Sequence, residues 1–159
     1  MVSVLFVCLG NICRSPMAEA VFRAKVERAG LADQIHVASA GTGDWHLGER
    51  PHRGTLRELE RHGVPLGDIR ASRITLEQLE TVDYIVAMDV ENLNVLRRMV
   101  RREGFDDVDV RLLMEFAAEP NAPMDIPDPY YERNFDQVYA MIDDATTGLL
   151  EWIRERERL

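Results

Sequence analysis

With 159 residues the chain is long enough to bury one sizeable core and short for two, so a single domain spanning residues 1–159 is expected. Its 28 acidic against 19 basic residues leave a net charge of -9, which argues against nucleic acid or an anionic membrane as the main partner. Two cysteines close in sequence make neither a disulfide framework nor a zinc site. With no basic leader and no run of membrane-spanning length, the expectation is a soluble, cytoplasmic protein.

Val2, Val4, Leu5, Phe6 and Val7 form a nearly unbroken apolar run rich in β-branched residues, which predicts a strand buried on both faces. Residues 8–15 follow as a loop, and Ser15-Pro16 predicts a helix start with Ser15 as N-cap and Pro16 at the first helical position. Met17, Ala18, Val21, Phe22 and Ala24 fall at helical spacing before Gly30 ends that helix. Residues 35–40 predict a second strand. A helix is expected over 54–62, with Leu56 and Leu59 inward and Gly63 as its stop, and a third strand over 84–88. Asp89 caps a helix carrying Leu93, Leu96 and Val100 and closed by Gly104, and residues 108–113 supply a fourth strand.

Phe135, Val138, Ile142, Ala145, Leu149 and Trp152 recur at steps of three and four, so a long final helix packs one stripe on the sheet. The alternation predicts an α/β fold of three layers: a four-stranded parallel sheet with helices on both faces and an anion-binding loop after the first strand. Loops that leave the carboxyl ends of such strands share one rim, and Cys8, Ser39 and Asp89 all fall there.

The loop Cys8-Leu9-Gly10-Asn11-Ile12-Cys13-Arg14-Ser15 carries the chemistry. A chain curling around an anion turns its backbone N–H groups inward, and Gly10 and Asn11 tolerate the left-handed conformations that this needs. The helix start adds partial positive charge, which favours a thiolate at Cys8, and Ser15 is placed to donate a hydrogen bond to the sulfur. Arg14 offers a planar fork matched to two phosphoryl oxygens, a fit that lysine lacks. A cysteine six residues before an arginine recurs by chance, and the bland reading makes Cys8 a core residue and Arg14 a surface charge. The strand before the loop and the Ser-Pro helix start after it favour the phosphate trap.

Residues 117–134 have no strong periodicity and are dense in proline and acidic residues, and loops of that length are usually functional or disordered. Within them Ile126-Pro127-Asp128-Pro129-Tyr130-Tyr131 stiffens the backbone around one carboxylate and adds two aromatics. On composition alone this is equally a rigid turn with exposed tyrosines. Trp45 sits in a glycine-rich loop, either as a partly buried anchor or as a contact for a ligand. His36, His46, His52 and His62 show no metal spacing and read as surface or core residues, with His46 adjoining Trp45.

The segment CLGNICRSPMAEAVF over residues 8–22 resembles the opening of the low-molecular-weight protein tyrosine phosphatases. Ser39-Ala40-Gly41-Thr42, Asp44-Trp45, Ala87-Met88-Asp89 and Asp128-Pro129-Tyr130-Tyr131 follow in that family's order and at about its spacings, so the resemblance covers nearly the whole chain. It implies hydrolysis of phosphotyrosine proteins or peptides through a cysteinyl-phosphate. Cys8 is then the nucleophile, Arg14 the phosphate clamp and Asp128 the general acid and base; residues Leu9 to Ser15 bind the phosphate, and inorganic phosphate inhibits as product. Trp45, Tyr130 and Tyr131 would wall the cleft, and Asn11, Ser15 and Ser39 would brace the loop. No metal or other cofactor is implied. A reversible disulfide between Cys8 and Cys13 is also implied, the alternative being that Cys13 is a buried, inert thiol.

One departure stands out. Near residues 67–71 the family often has a histidine that helps fix the loop asparagine, and Asp68 or Ile69 occupies that place here. Two rivals share the loop. Thiol-based arsenate reductases relay a disulfide through cysteines beyond it, and none follows Cys13. Protein arginine phosphatases carry threonine where this chain has Ile12, and an apolar Ile12 suits an aryl ester better. A third class, a non-catalytic anion-binding module, would need the loop and Arg14 but neither Cys8 nor Asp128.

Overall fold

Val2–Cys8 forms β1, whose side chains alternate between two hydrophobic layers. Val4, Phe6 and Cys8 pack into one layer and Leu5 and Val7 into the other, all buried, which is why the strand is apolar from Val4 onward. In this computed structural model, which describes residues 1–159, β1 pairs in parallel with β2 (Ile35–Gly41) and β3 (Tyr84–Ala87). β3 pairs in parallel with β4 (Asp109–Leu112), giving the strand order β2-β1-β3-β4. The expected four-stranded parallel sheet with helices on both faces is therefore present.

Helices α1 (Arg14–Arg28), α2 (Arg53–Arg61) and α6 (Phe135–Glu157) cover the face that receives Val4 and Phe6, through residues such as Phe22, Leu59 and Ile142. α3 (Leu76–Thr81) and α4 (Val90–Glu103) cover the other, through Leu79, Leu93 and Leu96. A short α5 (Pro129–Glu132) lies within the long segment that shows no periodicity. Because the chain leaves β1 toward β2 on one side and β3 lies on the other, a crevice opens beyond the carboxyl ends of β1 and β3.

Local expectations and structure differ at several places, each for a physical reason. α2 turns Thr55, Glu58 and Leu59 inward, whereas Leu56 is only half-buried. Thr55 donates its hydroxyl to the carbonyl of Cys13 at 3.0 Å, so a polar contact with the loop sets the helix's rotation. α3 is only six residues long, too short for periodicity to reveal, yet Thr75 and Gln78 close a reciprocal capping box at its start. Gly63 and Gly104 end their helices as expected, both with left-handed φ. No helix is long and apolar enough to cross a membrane.

Gly148 lies in the middle of α6, where alanine would ordinarily be favoured by about 1 kcal/mol. Here a Cβ would run into the carbonyl of Phe116, on a backbone that has little room to withdraw. The clash outweighs the helical gain, so Gly148→Ala is expected to lower unfolding free energy by about 2 kcal/mol, read from urea melts. An unchanged or raised midpoint would show that this crossing is not tightly packed.

Candidate active site

The loop after β1 folds back on the sulfur of Cys8. Asn11 takes the left-handed conformation (φ 56°), and its backbone N–H donates to Cys8 Sγ at 3.3 Å. Gly10 is not left-handed; its missing Cβ instead lets the His46 ring approach, since a Cβ would meet His46 Cδ2 at 3.2 Å. Helix α1 begins at Arg14, with Cys13 at the cap position and no side chain capping it. Ser15 is thus not the N-cap. Its hydroxyl lies 2.9 Å from Cys8 Sγ and accepts from Asn11 Nδ2 at 2.8 Å.

Hydrogen positions in this cluster follow from the order of its donors. Asn11 Nδ2 has two hydrogens, one for Ser15 Oγ and one for Ser39 Oγ at 3.0 Å. Ser15 keeps its own proton available to the sulfur when Cys8 is a thiolate, and Ser39 donates its proton to Glu19 Oε1 at 2.6 Å. Asn11 Oδ1 accepts from the backbone of Ser72 at 2.9 Å. Glu19 is itself buried and paired with Arg23. Asn11 is therefore fixed without the histidine that the family often has nearby: Ile69 packs in the core and Asp68 is fully exposed.

The backbone N–H groups of Leu9, Gly10, Ile12, Cys13, Arg14 and Ser15 find no acceptor within the protein. Unpaired N–H groups at the start of a helix are a ready cradle for an anion. Arg14, 3% exposed, is held by two bonds from Nη1, to Asp89 Oδ2 at 2.7 Å and to the carbonyl of Ile126 at 2.9 Å. Burial alone would favour loss of its proton, but Cys8, Asp89 and Asp128 together hold its affinity for the proton above the usual arginine range. Asp89 also caps α4 through the N–H of Asn92 at 2.7 Å, so one carboxylate fixes both a helix start and the guanidinium.

Asp128 comes from the long segment after β4. It caps α5 through Tyr130 N–H at 3.0 Å, leaving Oδ2 facing Arg14 Nη2 at 3.7 Å with the side chain 30% exposed. A cleft of about 320 Å³ joins these groups, floored by Cys8, Ile12, Cys13 and Arg14 and walled by Trp45, His46, Tyr130 and Tyr131. Burial first, then the negative charges of Asp128 and Cys8, push the Cys13 thiol up to about 12, so it stays protonated. Ser39 lies behind the loop rather than in the cleft, reached through Asn11. The structure thus brings every sequence-predicted site residue into one cleft or its immediate support.

A family model described as low molecular weight phosphotyrosine protein phosphatase matches residues 3–159. The chain belongs to that family. It is 42% identical over 160 residues to the low-molecular-weight protein-tyrosine-phosphatase YfkJ of Bacillus subtilis, covering 100% of both chains. It is 45% identical over 156 residues to a Streptomyces coelicolor low-molecular-weight protein-tyrosine-phosphatase, covering 96% of this chain and 94% of the other. The crystal structure of YfkJ superposes with a TM-score of 0.91 over 98% of this chain and 96% of that one. A Drosophila arginine phosphatase, 30% identical, superposes with a TM-score of 0.88 over 95% of this chain and 97% of its own.

Three residues of the site lie outside the sequence assignment. Glu19 is not singled out in the sequence, Asp89 is placed on the rim with Cys8 but given no role beyond capping a helix, and His46 reads as a surface or core histidine. Only Asp89 carried a usable signal, its place at the end of a buried strand. With Cys8 as the thiolate nucleophile that the family resemblance implies, the Ser15 hydroxyl is a donor to its sulfur. Ser15→Ala is expected to reduce kcat about 10- to 100-fold and to slow alkylation of Cys8 by iodoacetamide at pH 6. Equal alkylation rates in the two proteins would mean that the hydroxyl does not stabilise the thiolate.

Proposed function

We propose that this family member hydrolyses phosphotyrosine in proteins or peptides by two displacements through Cys8. The observation that carries this reading is the convergence on one cleft of Cys8, six unpaired backbone N–H groups, the Arg14 fork and the Asp128 carboxyl. Cys8 thiolate attacks phosphorus in line, forming the S–P bond as the P–O bond to the aryl group breaks. Arg14 and the loop N–H groups hold the equatorial oxygens. Asp128 gives its proton to the departing phenolate, a leaving group whose conjugate acid has a pKa of about 10 and which departs far more readily once protonated. In the second step Asp128 takes a proton from water as the water oxygen attacks phosphorus. The S–P bond then breaks, returning the thiolate and inorganic phosphate. No step calls for a metal, because Arg14 and the loop dipoles supply the positive charge.

Substrate class follows from the walls. Trp45, 68% exposed, and Tyr131, 77% exposed, present aromatic surface to solvent beside the cradle, as a phenyl ring needs. Ile12 in the loop adds an apolar floor. Product phosphate uses the same cradle, so inorganic phosphate inhibits competitively. The two buried thiols carry a protective role as well: peroxide oxidises them to a Cys8–Cys13 disulfide with release of two waters, and thiol reductants reverse it.

Two measurements test this reading. Matched phosphotyrosine, phosphoserine and phosphoarginine peptides are expected to show turnover of phosphotyrosine alone. Cys8→Ser is expected to abolish turnover while keeping phosphate binding, and Asp128→Ala to lower kcat roughly 100- to 10,000-fold. Preference for phosphoarginine, or full activity in Asp128→Ala, would overturn the assignment. For the thiol pair, wild-type activity lost to peroxide is expected to return with dithiothreitol, and that of Cys13→Ser to stay lost. Equal recovery in both would remove the disulfide.

A further inference from the structure

Around the mouth of the cleft the charges are unevenly partnered. Beside Trp45 each acid has a basic neighbour: Asp44 lies 3.9 Å from Arg73, and Glu49 contacts His46 Nδ1 at 2.7 Å. The lip that carries Tyr130 is different. His52 sets its ring edge-on to Tyr130, with centroids 5.8 Å apart, and caps α2 by accepting the Gly54 N–H at 2.9 Å. Arg53 is the first residue of α2, directly after His52.

Arg133 closes α5 in the left-handed conformation (φ 59°), two residues beyond Tyr131, its N–H bonded to the carbonyl of Pro129 at 2.8 Å. Arg53 and Arg133 are both exposed, and neither forms a salt bridge. Glu132, next to Arg133 in sequence, pairs with neither of them, and Asp128 faces Arg14. His52 binds its proton less readily than an ordinary histidine because of burial first, then the charges of Arg133 and Arg53.

Two unpaired guanidiniums beside the one cleft that takes phosphotyrosine, on a chain of net charge -9, are a local exception to the global field. We propose that Arg53 and Arg133 read acidic side chains flanking the phosphotyrosine, so that the preferred substrates are segments carrying Asp or Glu close to the modified residue. This rests on the phosphotyrosine reading of the site and names its substrate class further. The two arginines do not touch the reacting atoms, so they act on binding and leave the chemical step alone. Being exposed, each contact is individually weak and screened by salt.

The test compares peptides sharing one phosphotyrosine core, with acidic, neutral or basic residues on its amino-terminal or carboxyl-terminal side, alongside a small aryl phosphate that has no flanks. Wild type is expected to favour one acidic peptide over its neutral counterpart by about three- to tenfold in kcat/KM, entirely through KM, with the preference shrinking as salt rises. The double variant Arg53→Gln/Arg133→Gln loses that preference and keeps wild-type turnover of the small aryl phosphate. Arg98→Gln, on α4 across the sheet, retains the preference. Equal kcat/KM for acidic and neutral peptides in wild type, or a preference that survives in the double variant, would overturn the proposal while turnover of the small aryl phosphate upheld the phosphatase reading. Failure to turn over the small aryl phosphate as well would overturn both.

Discussion

A guanidinium that is almost wholly buried needs an anion fixed beside it, and this need ties the loop after β1 to the end of β3. Arg14 leaves solvent to reach the floor of the cleft, at a desolvation cost of several kcal/mol that only close, well-directed partners offset. Asp89 supplies the charge and Ile126 a carbonyl, both through Nη1. Nη2 is left toward the cleft, where Asp128 faces it. The strand order makes this affordable in geometry: β1 and β3 are neighbours, so their outgoing loops meet over a single crevice. Remove Asp89 and the same guanidinium keeps only the Ile126 carbonyl and the longer approach of Asp128 at 3.7 Å.

Around that cation the loop is organised by proton direction. Asn11 gives both amide hydrogens to hydroxyls, which leaves the Ser15 proton free for a Cys8 thiolate, while Ser39 donates toward Glu19. The carboxylate of Glu19, buried and paired with Arg23, is the acceptor at the end of this chain of donors. A fully satisfied polar network of this kind holds one arrangement against alternatives, because any reorientation leaves a buried donor unpaired. Thr55 and Ser72 brace the loop from two other segments, through the carbonyl of Cys13 and the side-chain carbonyl of Asn11. Six of the loop's own N–H groups stay free, all but that of Asn11, and that freedom is what leaves them available to an anion.

Much of this was legible in the residues themselves. The β-branched run before Cys8, the glycine stops at Gly63 and Gly104 and the carboxylate cap at Asp89 are local signals, each set by backbone sterics or by nearby hydrogen bonds. Asp128 was within reach because two prolines isolate it, although its role came from family resemblance. What stayed hidden depends on partners distant in sequence. Ser15 followed by proline has the local form of an N-cap, but Cys8 and Asn11 compete for its hydroxyl and win, so the helix starts two residues earlier, at Arg14. Leu56 has the hydrophobicity to face inward, yet the bond from Thr55 to the loop turns α2 so that it does not. Glu19 carries no local mark of burial, because its partner Ser39 lies on β2, twenty residues further along the chain.

The proposed transfer of the phosphoryl group to Cys8 is tested most directly by catching that group on the sulfur. Rapid acid quench of the protein mixed with excess aryl phosphate, followed by peptide mass spectrometry, reads the first turnover. One phosphoryl group is expected on the peptide that contains Cys8, appearing in a burst with one equivalent of phenol and absent in Cys8→Ser. Steady release of phosphate without a burst and without phosphoryl-cysteine, or with the group on another residue, would contradict it.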